Sequence, residues 1–141
     1  MNNNQKLIGI LVITFLSLVF SKNIFADSQK VLHEKTFQTS PGKTLEVESP
    51  IADVTVQSWD NDEVYVKITG DNDAKEEIEF TIEETSTGVL VKGEKRSGFS
   101  WDNIFGSIDL NIEEKVPSKY NTEVKTSGGD SKLGNVEGEN E

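Results

Sequence analysis

The chain has 141 residues, no cysteine, and 25 acidic against 14 basic residues, for a formal net charge of −11 at pH 7. At this length it carries one domain once a leader is set aside. The acidic balance excludes a nucleic-acid binder, since Lys and Arg neutralising phosphates supply most of that affinity. The missing cysteine excludes a disulfide framework and a lipid-bearing thiol.

Residues 1–6 are polar with one positive charge, residues 7–20 form an apolar run, and residues 21–26 end on the small Ala26. This order predicts a signal peptide over 1–26, cut between Ala26 and Asp27, and an all-β domain over 27–141. A spanning helix needs about 20 apolar residues, so no stable membrane anchor is expected after cleavage. Lys6 and Lys22 leave with the leader and no acid does, which takes the net charge to −13. The expected destination is the periplasm, the medium or the cell surface.

Beyond the leader the apolar period is two. Leu45 and Val47, Val54 and Val56, then Val64, Val66 and Ile68 alternate with polar residues. So do Ile78, Phe80 and Ile82, and Ile108, Leu110 and Ile112. Successive strand side chains point to opposite faces, so each run offers one apolar and one wet face. Gly, Pro, Asn and Asp punctuate the runs at Pro41-Gly42, Pro50, Asp60-Asn61-Asp62, Asp71-Asn72-Asp73, Thr87-Gly88 and Gly128-Gly129. Only residues 73–77 have room for a helical turn. One internal repeat stands out: Val47, Asp53 and Val56 share the spacing of Val124, Asp130 and Leu133. It suggests stacked strand–turn–strand units that bury their faces against neighbours.

Residues 42–47 (Gly-Lys-Thr-Leu-Glu-Val), 52–56 (Ala-Asp-Val-Thr-Val) and 62–66 (Asp-Glu-Val-Tyr-Val) resemble the opening of the bacterial putative-adhesin family. Residues 108–112, Val116-Pro117 and the Thr126-Ser127-Gly128-Gly129-Asp130 turn continue that resemblance. It implies short antiparallel strands leading into the start of a β-solenoid-like stack, in an exported protein of unknown ligand. In such a domain the glycine-turn segment opens a series of rungs, so the chain reads as shortened in its C-terminal repeats. Residues 135–141 then have little to bury, and an unpaired edge over 122–133 invites self-association.

No enzyme is expected. The lone His33 lies near the start of the domain, and no Gly-x-Ser-x-Gly elbow presents a serine to it. Glu76, Glu77, Glu79, Glu83, Glu84, Glu113 and Glu114 supply carboxylates, but a glycosidase needs two held at a fixed gap across a cleft. On alternate strand positions they predict a wet face instead. Asp60-Asn61-Asp62 and Asp71-Asn72-Asp73 begin like calcium loops, then fail at the fifth and sixth positions, where Val64-Tyr65 and Lys75-Glu76 stand. They read as hairpin turns, with no metal or cofactor. The candidate contact surface is an aperiodic stretch between two Gly-Ser turns, carrying Phe99, Trp101 and Phe105 beside Ile104. Its plainer role is a cap over the β core, as for Trp59. The expected function is an exported β-repeat interaction module with an unknown envelope or surface partner. The alternative is a structural or regulatory envelope domain without an external ligand.

Overall fold

A computed structural model describes residues 29–98 and 108–134. The leader, the contact residues Phe99, Trp101 and Phe105, and residues 135–141 lie outside them. In chain order the elements are β1 (Lys30–Gln38), β2 (Thr44–Ser49), β3 (Asp53–Trp59), β4 (Glu63–Gly70), α1 (Asn72–Glu77), β5 (Ile78–Glu84), β6 (Gly88–Lys95), β7 (Leu110–Pro117), β8 (Asn121–Thr126) and β9 (Ser131–Gly134). The all-β expectation holds, with α1 as the one short helix among the described residues.

The strands form a five-stranded sheet, ordered β1-β4-β7-β3-β9, and a four-stranded sheet, ordered β5-β6-β2-β8. Both are mixed. β1–β4, β4–β7 and β5–β6 are antiparallel, whereas β2 pairs parallel with β6 and β8, and β3 pairs parallel with β7 and β9. The turns explain the parallel pairs. After β2 the chain bends at residues 50–52 and enters the other sheet as β3, and after β8 it does the same to enter as β9. Strands that reach each sheet this way run in one direction. The units β6/β7, β2/β3 and β8/β9 therefore lie side by side, one strand of each in either sheet.

Period-two patterning decides which side chains meet. Leu45, Val47, Val54, Val56, Val64, Val66, Ile68, Val89, Val91 and Ile112 are all buried in one apolar cluster. Burying each contributes about 1.5–3 kcal/mol. Tyr120, also buried, closes the cluster just before β8, with its hydroxyl 2.9 Å from Thr39 Oγ1.

Two turns differ from the sequence reading. The Asp60-Asn61-Asp62 segment is no hairpin turn: it joins β3 to β4, and β7 lies between those strands. Asp71-Asn72-Asp73 opens α1 instead of a hairpin, because the Asp71 carboxylate caps the helix through Ala74 N at 2.7 Å.

Candidate functional site

The two sheets end differently on their two sides. On one side stand the edge strands β1 and β5. His33, Lys35 and Phe37 pair with Ile68, Val66 and Val64, so they occupy the inward row of β1. Lys35 Nζ reaches across the seam and donates to Ile82 O at 2.9 Å. The His33 ring sits edge-on to Phe80, with centroids 5.6 Å apart. Partial burial, followed by the charge of Lys35, lowers the His33 pKa below its ordinary 6.5. The register slips between Val31 and His33. The inward charge of Lys35 and a bulge obstruct the addition of another strand.

The opposite side, formed by β8 and β9, lacks these guards. Thr122 and Val124 share rows with the buried Leu45 and Val47, and Ser131 and Leu133 with the buried Val54 and Val56. All four inward positions are uncharged. Leu133 is 41% exposed, and every residue of β9 is exposed. Among the described residues no strand pairs with the outer side of β8 or of β9, so both sheets end here.

The edge is held in place by its turn. Val124 lies beside Val47 and Leu133 beside Val56, so the two copies of the sequence repeat are laid against each other in register. Between them Ala52 N donates to Gly128 O at 3.0 Å and Val54 N to Asp130 O at 2.8 Å. Asp130 N donates back to Asp53 Oδ1 at 2.8 Å. The repeated aspartates are thus turn fasteners, one through its side chain and one through its backbone.

Other groups singled out in the sequence have local tasks. Trp59 ends β3 half-buried, its indole N–H donating to Glu63 O at 2.8 Å. The Lys115 ammonium lies 5.5 Å from the Trp59 ring and 5.8 Å from the Tyr65 ring. Tyr65 donates to Glu34 at 2.6 Å, and that bond leads the causes pushing its pKa up to about 12. Because Lys115 covers both rings, this cluster is satisfied within the chain. Both oxygens of Asp71 are also used, on Ala74 N and on Asp109 N at 3.1 Å. The expected result is a thermal midpoint equal in millimolar calcium and in chelator; a calcium-dependent rise of several degrees contradicts it, because a ligand of the native state must stabilise it.

One carboxylate corrects the sequence reading. Glu113 is exposed as expected of a wet face, but Glu114 is 1% exposed, and neither of its oxygens has a partner. It lies in the inward row of β7, between Ile112 and Val116 along the strand and between Val66 and Val56 across it. Burial raises its pKa from 4.5 to about 8. Sequence reasoning missed it, although the alternation Leu110, Ile112, Val116 reserves position 114 for the core.

No family model matches the chain, and no curated protein matches it. Solved structures do. One is described as a putative adhesin from Parabacteroides merdae, with 12% identity over 78% of this chain and 40% of that one, at a TM-score of 0.44. A putative cell adhesion protein from Clostridium sporogenes has 15% identity over 74% of this chain and 50% of its own, at 0.43. A putative adhesin from Bacteroides fragilis has 7% identity over 79% and 51%, at 0.40. The chain spans about half or less of the length of each of these proteins.

Proposed function

We propose that the chain is an exported, non-enzymatic interaction module of the adhesin type, working through the β8/β9 edge. On this reading β6/β7, β2/β3 and β8/β9 are successive rungs of a short solenoid-like stack. The partner supplies the next rung by adding strands to both sheets. The observation that carries the reading is the contrast between the two sides. β1 turns His33 and Lys35 inward and carries a bulge, whereas β8 and β9 turn Thr122, Val124, Ser131 and Leu133 inward. Sheet edges left without such guards pair with other chains.

A second copy of the chain is the simplest partner to test. Sedimentation of the processed protein is expected to show concentration-dependent dimers. Leu133→Lys places an inward charge on β9, as Lys35 does on β1, and is expected to return the protein to monomers. Because Leu133 is already 41% exposed, the thermal midpoint of that variant should stay near the parent's. A parent that stays monomeric at high concentration, or a Leu133→Lys variant that dimerises equally well, rejects the edge as the working surface.

A further inference from the structure

The guarded side of the fold has a feature of its own. Between β1, α1 and β5 lies a cleft of about 340 Å³, within the range of about 300–1,000 Å³ usual for small-ligand sites. Its floor is apolar, with Ile78 buried and Leu32 and Phe80 half-buried. Lys30, Lys75 and Arg96, all three exposed, line the rest together with Val31 and His33. Arg96 is brought there because its backbone N–H donates to Glu77 O at 2.8 Å, which carries the β5–β6 pairing on to the end of α1. α1 also bears Asp73, Glu76 and Glu77, yet Lys75 is the residue it contributes to the lining.

The charge balance of the chain makes this grouping unusual. Acids outnumber bases by 25 to 14, and four lysines elsewhere pair with them, while Lys35 and Lys115 meet a carbonyl and two aromatic rings. Lys43 pairs with Glu84, Lys67 with Glu113, Lys92 with Glu94, and Lys125 with Glu48 and Glu123. Among the described residues no ion pair involves Lys30, Lys75 or Arg96. Lys30 is held by a neutral group, donating to Asn72 Oδ1 at 3.0 Å. Three cations unmatched by acids, around an apolar floor, complement a ligand with an anionic head and an apolar body. Guanidinium and ammonium groups bind carboxylates through charge-assisted hydrogen bonds. The buried floor rewards removal of an alkyl chain from water.

We propose that this cleft binds a small amphiphilic anion, an alkyl carboxylate of medium chain length. The alkyl chain lies on Leu32, Ile78 and Phe80, and the carboxylate sits among Lys30, Lys75 and Arg96. This site is on the opposite side of the fold from the β8/β9 edge and does not depend on that edge's role.

Calorimetric titration of the processed chain with octanoate tests it, beside acetate, the neutral octyl glucoside and vesicles containing anionic phospholipid. Octanoate is expected to bind saturably at one site. Acetate, without the chain, and octyl glucoside, without the charge, should each bind at least about tenfold more weakly, since each lacks one of the two contributions. The double variant Lys75→Glu, Arg96→Glu should lose octanoate affinity by at least about tenfold. Both side chains are exposed, so it should keep the parent's thermal midpoint. The proposal is overturned by octanoate that does not saturate, by acetate or octyl glucoside binding as well, or by undiminished octanoate binding in a folded double variant. Binding to anionic vesicles without binding to free octanoate also overturns it, and makes the patch a membrane-surface contact.

Discussion

Replacing Glu114 with methionine is expected to stabilise the fold, by an amount that grows as the pH rises. The Glu114 carboxyl is buried on the central strand β7, has no hydrogen-bond partner, and faces the valines at 56 and 66 across the sheet. An orphaned buried polar group costs about 1–3 kcal/mol even when neutral. Ionisation costs more. In the folded state this carboxyl titrates at about 8 instead of the ordinary 4.5, so between those values the folded chain keeps a proton that the unfolded chain has released. Stability then falls as pH rises, by about 1.4 kcal/mol per pH unit. The whole loss from this residue approaches roughly 5 kcal/mol above pH 8 and is absent below pH 4.5. Methionine has neither charge nor orphaned oxygen and fills a similar volume. Urea unfolding at pH 5 and pH 9 reads the difference. The variant's midpoint should exceed the parent's at both, and by more than about 1 M at pH 9, given slopes of 1–3 kcal/mol per M. Equal pH profiles for parent and variant would mean that Glu114 finds a partner or reaches water.

Much of this fold was legible in the sequence, for a physical reason. Where one face of a strand is wet and the other dry, alternation is forced, and β2, β3, β4, β5 and β7 all show it. β1 does not, because its inward row carries His33 and Lys35 and its register slips after Val31. β6 was hidden by its composition: Val89, Leu90 and Val91 are consecutive and apolar, and Gly93 follows at an inward position against the Phe80 ring. The order of the strands was not legible either. The insertion of β7 between β3 and β4 is a pairing of segments distant in sequence, on which local periodicity is silent.

The repeat carried more information than its short match suggests. Val47, Asp53 and Val56 recur as Val124, Asp130 and Leu133, and the recurrence is the register in which β8 and β9 lie on β2 and β3. Identical offsets in both sheets require the intervening turns to match as well, a match that Asp53 serves through its side chain and Asp130 through its backbone. For the candidate sites the sequence was less informative. The cleft depends on Lys30, Lys75 and Arg96 converging from three separate segments. The openness of the β8/β9 edge depends on which strand ends each sheet.

Gly129→Ala is expected to detach that edge without unfolding the remaining sheets. Gly129 has φ +98, a left-handed backbone that costs a side-chain-bearing residue roughly 1–2 kcal/mol. Space is the larger obstacle. A Cβ at this position would meet Ala52 O at 2.0 Å and Ala52 C at 2.4 Å, both backbone atoms. The turn at 127–130 must therefore lift away from the turn at 50–52, breaking the bonds from Ala52 N to Gly128 O and from Val54 N to Asp130 O. β9 contributes four exposed residues, so little apolar burial opposes its release. β8 is more firmly seated by Thr122, which is buried, and by the half-buried Val124, and it should loosen less. Hydrogen exchange resolves these steps. The Ala52 and Val54 amides should lose protection in the variant by at least about tenfold, the equivalent of about 1.4 kcal/mol. Amides in the β4–β7 ladder, where Val66 pairs with Glu114 and Ile68 with Ile112, should keep their protection. If the edge is the site of self-association, the variant should also sediment as a monomer. Undiminished protection at Ala52 and Val54 would show that the turns tolerate a methyl group and that their contact does not hold the edge in place.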